Sequence, residues 1–306
     1  MDKQDYIYTD KNGHKIHIVS LVPNKPKRLL LIPPLVGANG ILAIKTFRYF
    51  FREGCILMSF DYCGHYPEID NKFTIEGTFV DTRAALNHAC EYAAKLGISV
   101  HAVGACYGLI PLLYVLNELG WPQEVKSIFS VNGLLNIHEI LGFDGYKLYL
   151  RKKGLIFKNK EDFISCISTN KSGFISNKEK YIDALTEYLL SVFAELKDII
   201  SYKSFGVLDY SRVDSYKTAY QFFTIDLPEI IIPRRIPCLF FLGAHDAILN
   251  LQASEKNNEY LNKIKRLVPH ARFCHIRIDH FGRGEDHYVI GKEGMKFLIA
   301  NDSKAD

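Results

Sequence analysis

Hydrophobic positions in the first half of the chain alternate between strand-like and helix-like patterns. Residues 15–22 alternate in polarity and predict a strand, and the apolar run that begins at residue 28 continues until Pro33 and Pro34 interrupt it. A helical pattern over ILAIKTFRYFFREG then leads to a second apolar run, CILMSFDY. Uninterrupted apolar runs are typical of strands that are buried on both faces, so a largely parallel sheet is expected.

The same order continues towards the C-terminal end. Residues 78–96 carry apolar positions at helical spacing and end at Gly97, after which the strand ISVHAVGACYG runs into the helix LIPLLYVLNELG. Later strands are predicted at VKSIFSVNGLL, IPCLFFLGAHD and RFCHIRID, before a terminal helix around EGMKFLIAN. The pattern predicts an α/β protein with a mostly parallel sheet flanked by helices.

One long stretch interrupts this alternation. Residues 136–232 contain no clear buried strand but several helix-like patches rich in aromatic and charged residues, such as KYIDALTEYLLSVFAELKDII. A helical insertion here would lie over the carboxyl ends of the strands, where open α/β sheets bind ligands, and would form a lid. We therefore divide the chain into a core at 1–135, a lid insertion at 136–232 and the rest of the core at 233–306. A second domain unrelated to the site is the alternative.

Composition excludes some classes of protein. The 38 basic and 34 acidic residues are scattered, which argues against nucleic-acid binding. The seven cysteines form no C-x-x-C pair and the histidines lack ligand spacing, so we predict neither a metal nor a cofactor. The N-terminal segment has no signal-peptide pattern, and no apolar run reaches about 18 residues. We expect a cytoplasmic protein without a membrane span.

The string Gly104-Ala105-Cys106-Tyr107-Gly108 lies between a predicted strand and a predicted helix. It is a G-x-C-x-G version of the nucleophile elbow, in which small flanking residues allow a sharp turn that exposes the nucleophile. A thiol at this position needs an imidazole and the positive end of the following helix to become a thiolate. Cys106 is therefore the candidate nucleophile, and a buried cysteine between two incidental glycines is the alternative.

Two further positions fit the roles of acid and base. In an elbow enzyme of this kind the order along the chain is nucleophile, acid, histidine. Asp246 directly follows the run IPCLFFLGA, and His280 directly follows the last predicted strand. We expect Asp246 to orient His280, and His280 to activate Cys106.

Three neighbours are competitors for these roles. His287 lies seven residues beyond His280 and is the alternative base, although its position suggests the start of the terminal helix. Asp279 and His245 lie next to the chosen residues, and their spacing from the predicted strands fits less well.

Acyl transfer also needs two backbone N–H groups aimed at the oxygen that gains negative charge. Tyr107, the residue after the nucleophile, should supply one of them. The other should come from the loop after the first apolar strand, where Leu35 or Val36 is best placed because Pro33 and Pro34 cannot donate.

These residues resemble the α/β-hydrolase superfamily, from the strand at residue 28 through His280 to the last helix. Within it, the chain is similar to the acyl-thioesterase (acyl-transferase) subunit of bacterial luminescence systems, in length, in triad order, and in Phe73-Thr74, Val131-Asn132 and the stretch LGFD at 141–144. Those enzymes take a fatty acyl group from a thioester carrier onto a serine. The present chain has Cys106 in that place, which makes transfer as plausible as simple hydrolysis.

The resemblance and the residues together support one main hypothesis and two alternatives. The main hypothesis is cysteine-dependent acyl transfer, in which a fatty-acyl or polyketide-like thioester, carried by an acyl carrier protein or coenzyme A, forms an acyl-Cys106 intermediate. A hydrolase of small esters or lactones is the second, because dienelactone hydrolases also have a G-x-C-x-G elbow. A non-catalytic binder on a hydrolase scaffold is the third, and the presence of Asp246 and His280 argues against it.

Overall fold

A single sheet of eight strands forms the centre of the molecule. The computed structural model describes residues 2–136, 141–169, 175–192, 197, 200–201, 204–225, 227, 230–246, 249 and 259–302. The strands of the central sheet are β1 (Asp2–Thr9), β2 (Lys15–Val22), β3 (Arg28–Leu31), β4 (Cys55–Asp61), β5 (Ser99–Ala105), β6 (Val125–Val131), β10 (Cys238–Gly243) and β11 (Arg272–Ile276).

The order across the sheet is β1-β2-β4-β3-β5-β6-β10-β11. β2 pairs in antiparallel fashion with β1 and β4, and the remaining pairs are parallel. Every residue of β4 and β10 is buried, as expected for uninterrupted apolar runs. The carboxyl ends of the parallel strands meet along one edge of the sheet, which is where ligands bind in such folds.

Helices cover both faces of this sheet. α3 (Ile75–Leu96) begins where the Thr74 side chain accepts a hydrogen bond from Gly77 N–H and ends at Gly97, whose φ of 65° lets the chain turn away. The other flanking helices are α1 (Gly40–Thr46), α2 (Arg48–Phe51), α4 (Leu109–Glu118), α9 (Glu259–Leu267) and α10 (His287–Asp302). One buried cluster of side chains includes residues of α3 and α4, and another, on the opposite face, includes residues of α1, α2 and α10.

The segment between β6 and β10, which we call the lid segment, is mostly helical where it is described. Its aromatic side chains pack on one another, and Tyr146 stacks on Phe223 with 4.6 Å between the ring centroids. Its hydrogen bonds to the core include one from Val207 N–H to Gly37 O at 2.7 Å and one from Phe73 N–H to Arg212 O at 2.8 Å. Its elements are α5 (Phe143–Lys152), α6 (Lys160–Ser168), α7 (Lys178–Val192), β7 (Ile200–Ser201), β8 (Ser204–Phe205), β9 (Leu208–Asp209) and α8 (Ser215–Thr224).

Some elements differ from the sequence-based expectation. β1 was not predicted, because its side chains are mostly exposed and it is held by pairing with β2 rather than by an apolar pattern. α9 and the short strands of the lid segment were also not predicted. α10 begins at His287, as the position of this residue suggested. Within the described residues, none of the helices offers the length of apolar surface that a bilayer crossing requires.

Candidate active site

Cys106 lies immediately after β5, at the start of a single 3₁₀ turn that leads into α4. Its φ of 46° is in the left-handed region that non-glycine residues seldom occupy. A Cβ atom at position 104 would lie 2.4 Å from the Leu109 side chain, and one at position 108 would lie 2.9 Å from Pro33 O. The two glycines therefore allow the elbow to pack closely against α4 and against the loop after β3.

Asp246 and His280 meet beside this elbow. Asp246 follows β10 and His280 follows β11, and His280 Nδ1 lies 2.9 Å from Asp246 Oδ2. Both side chains are fully buried, and Asp246 Oδ1 accepts a hydrogen bond from Leu249 N–H at 3.0 Å. With Nδ1 donating to the carboxylate, the other ring nitrogen is left to act on a reacting group.

That nitrogen, His280 Nε2, is buried, and no residue other than Cys106 is its partner within the described chain. His280 and Cys106 line the same cavity, which has a volume of about 530 Å³. Burial disfavours the charged imidazole, but the negative charge of Cys106 and the hydrogen bond to Asp246 outweigh it and raise the pKa of His280 to about 10. The surroundings of His280 therefore favour its charged, imidazolium form.

The three competitors are placed differently. His287 lines the same cavity, but its Nδ1 lies 3.2 Å from Gly284 O rather than next to a carboxylate. Asp279 Oδ2 accepts a hydrogen bond from Arg283 Nε at 2.6 Å, and His245 is exposed. The structure thus brings His280, and not these residues, together with a buried carboxylate and Cys106.

The two candidate donors in the loop after β3, Leu35 and Val36, line different cavities. Leu35 lines the cavity that contains Cys106, whereas Val36 lines a smaller cavity next to the lid segment. The N–H group of Leu35 donates to no backbone oxygen within the described chain. Leu35 is therefore better placed than Val36 to donate to an oxyanion.

His65 holds this loop in place, and the sequence analysis did not identify it. Its Nε2 accepts a hydrogen bond from Gly37 N–H at 3.0 Å, and its Nδ1 donates to Cys63 O at 3.1 Å. Burial lowers the pKa of His65 to about 4, which keeps the ring neutral and able to accept. The only sequence signal was its position shortly after a buried strand.

Asn132 ties three strand ends together, and it was also not assigned a role. Its Nδ2 donates to Asp279 O at 2.7 Å and to His280 O at 3.2 Å, and its Oδ1 accepts from Gly243 N–H at 2.7 Å. The side chain is fully buried at the end of β6. This arrangement fixes the backbone that carries His280 relative to the strand that precedes Asp246.

The buried His65 predicts a pH dependence of stability. The unfolded chain takes up a proton at this side chain below pH 6.5, whereas the folded chain does so only below about 4. Between these values the free energy of unfolding should fall as pH falls, by up to roughly 3 kcal/mol from this group. Urea unfolding of the wild type and of His65→Gln over this range checks the effect, since the difference in stability between them should change with pH. A difference that stays constant would contradict it.

Among the described residues, no three His, Cys, Asp or Glu side chains group in a way that would hold a metal ion.

Neither the family models nor the curated proteins include a match to the chain. Solved structures do match it. A thermophilic esterase from Thermogutta terrifontis is 14% identical, with a TM-score of 0.59 over 99% of this chain and 100% of its own. The carboxylesterase CesB from Bacillus subtilis is 13% identical, with a TM-score of 0.54 over 98% and 93%.

The chain has the α/β-hydrolase fold. A bromoperoxidase from Bacillus anthracis shares it at 14% identity, with a TM-score of 0.50 over 98% of this chain and 100% of its own. Esterases and a bromoperoxidase therefore have the same architecture, so the activity of this α/β-hydrolase-fold protein must be argued from its own site.

Proposed function

We propose that this protein is an acyl-transfer enzyme that takes an acyl group from a thioester onto Cys106. The observation that carries the proposal is the placement of Cys106 on a turn with positive φ, in one cavity with a histidine that is held by a buried carboxylate. A nucleophile, a base and a residue that orients the base form the arrangement typical of covalent acyl transfer.

In the first step, the Cys106 thiolate attacks the carbonyl carbon of the thioester and forms a C–S bond. The carbonyl oxygen gains the negative charge and accepts hydrogen bonds from the N–H groups of Tyr107 and Leu35. When the tetrahedral intermediate collapses, the bond to the carrier sulfur breaks. That sulfur leaves with the proton from the His280 imidazolium, so His280 becomes neutral.

In the second step, the neutral His280 acts as a general base on the acceptor. It takes a proton from an incoming water, amine or alcohol, whose oxygen or nitrogen attacks the acyl-Cys106 carbonyl. Collapse of the second intermediate breaks the C–S bond to Cys106 and restores the pair of thiolate and imidazolium. The raised pKa of His280 favours this restored state, in which the proton has returned to the ring.

A cysteine suits a thioester donor in particular. Acyl-Cys106 is itself a thioester, so loading from coenzyme A or an acyl carrier protein exchanges one thioester for another and is nearly balanced in free energy. The intermediate then keeps the energy needed to acylate an amine or an alcohol. The site therefore supports transfer as well as hydrolysis, and the acceptor decides between them.

Intact-mass measurement after incubation with acyl-coenzyme A thioesters tests the proposal. We expect wild-type protein to gain the mass of one acyl group, with peptide mapping placing it on Cys106. Cys106→Ala should gain none. Cys166→Ala is the matched control, because Cys166 is a partly buried cysteine of the lid segment and its loss should leave the adduct intact.

Two outcomes would overturn the proposal. Labelling that persists in Cys106→Ala would show non-specific acylation of other cysteines. The absence of both an adduct and product release from wild type, with thioester and ester substrates, would favour the binding-scaffold alternative.

Release of free acid, rather than transfer to an added amine or alcohol, would identify the enzyme as a thioesterase within the same proposal.

A further inference from the structure

The cavity that contains Cys106 opens on one particular face of the sheet. Beyond Cys106 and His280, its walls come from the ends of β5 and β6, the loop after β3, α1 and α2, the loop 281–283 and the beginning of α10. These helices cover the face of the sheet opposite to α3 and α4. Among the described residues that line it, none belongs to the lid segment.

The walls of this cavity are mostly apolar. Residues of the side walls include Leu42, Ala43, Phe47, Phe50 and Ile290. Its volume of about 530 Å³ is within the range of roughly 300–1,000 Å³ of ordinary ligand pockets. The space is therefore large enough for an apolar group that extends well beyond the reacting carbonyl.

The lid segment offers less room where it is described. A cavity between it and the core, next to Leu185 and Phe222, has a volume of about 20 Å³. Another, between Leu135, Leu227 and α9, has a volume of about 140 Å³, and neither Cys106 nor His280 lines it. Phe223 is almost fully buried and stacks on Tyr146 of the same segment. Its ring therefore serves the packing of the lid segment itself.

We propose that the acyl chain of the substrate lies in the cavity between α1, α2 and α10, and that the substrate class is a thioester of an apolar acyl group of medium length. This inference rests on the proposed function, since it places the acyl group on Cys106. Cys106 in the wall of this cavity fixes the position of the carbonyl carbon, and the acyl chain extends from there past residues of α1 such as Ala43.

The outer end of the cavity supports this direction. Leu42, Tyr49 and Tyr288 line it and are 47%, 49% and 61% exposed, so apolar surface continues from the cavity to the protein surface. At position 291 on α10, an added Cβ would lie 2.6 Å from the Tyr49 ring, which shows that α2 and α10 approach closely at this wall. The close approach of α2 and α10 therefore limits the width of the cavity at this wall. We call the part of the cavity that would hold the acyl chain the channel.

A small-to-large substitution in the cavity wall tests the inference. We measure kcat/KM for acetyl, hexanoyl and dodecanoyl thioesters with wild type and with Ala43→Phe. The added ring should narrow the channel, so the ratio of dodecanoyl to acetyl activity should fall by about tenfold or more. Thermal unfolding of the variant shows that it is folded, and a second variant, Ile290→Phe, should change the ratio in the same direction.

Leu185→Ala is the matched control, because it enlarges the small cavity next to the lid segment and leaves the proposed channel intact. The ratio should not change in this variant. A ratio that changes in Leu185→Ala but not in Ala43→Phe would place the chain under the lid and overturn the inference, with the proposed function intact. Failure of all the variants and of wild type to form an adduct with any thioester would instead overturn the proposed function.

Discussion

Replacement of Asp246 by Asn should lower kcat by about 10⁴-fold, although the side chain keeps its size. In the wild type, one carboxylate oxygen accepts from Leu249 N–H and the other lies 2.9 Å from His280 Nδ1. An asparagine would keep its oxygen towards Leu249 N–H and turn its amide NH₂ towards His280. Nδ1 would then have to accept, so the proton of a neutral ring would be on Nε2, the nitrogen that must act as the base.

Steady-state kinetics with an acyl thioester, together with NMR titration of His280, checks this prediction. Because Asp246 is one cause of the raised pKa, the pKa of His280 should be lower in Asp246→Asn than in the wild type, where it is about 10. Asp286→Asn is the control, since this carboxylate pairs with Arg277 at the surface. A kcat within tenfold of wild type for Asp246→Asn would show that the carboxylate does not set the tautomer.

Replacement of Gly108 by Ala should give the second large effect. The new Cβ would lie 2.9 Å from Pro33 O and 3.2 Å from Pro34 O, and backbone oxygens cannot rotate away as the end of a side chain can. The loop would have to shift, and with it the N–H group of Leu35. We expect kcat to fall by about 10²- to 10³-fold, as for the loss of one oxyanion donor, and stability to fall by about 1–3 kcal/mol.

The rate of alkylation of Cys106 by iodoacetamide distinguishes this effect from the loss of the nucleophile. It should change little in Gly108→Ala, because alkylation forms no oxyanion and needs only the thiolate. Gly142→Ala is the control, since a Cβ there would meet nothing within 4 Å and its φ is −72°. If alkylation and kcat fall by the same factor, the substitution has disturbed the thiolate and not the loop after β3 that carries the Leu35 N–H group.

Much of the fold could be predicted because the buried parallel strands have unmistakable patterns. β4 and β10 are apolar over almost their whole length, and both are fully buried. The placement of Cys106, Asp246 and His280 after the ends of strands could be predicted for the same reason, because each residue follows a recognisable apolar run. β1 could not be predicted, since an edge strand that is stabilised by backbone pairing needs no apolar stripe.

The supporting residues were harder to predict for a different reason. His65 and Asn132 act through contacts with backbone groups that are distant in the chain, and such contacts leave no local pattern. The direction of the cavity likewise depends on how α1, α2 and α10 pack against each other. The sequence shows that the lid segment is rich in aromatic residues, but only the structure shows that Tyr146 and Phe223 stack on each other.

The hydrogen bond from Val207 N–H to Gly37 O links the lid segment to the loop that carries Leu35. Gly37 N–H in turn donates to His65, and a Cβ at position 206 would lie 2.0 Å from Gly37 O, so the hairpin between β8 and β9 rests directly on this loop. Under the proposed function, any movement that lifted this hairpin away would also remove a support of the Leu35 N–H donor. Opening of the site and loss of oxyanion stabilisation would then be a single event.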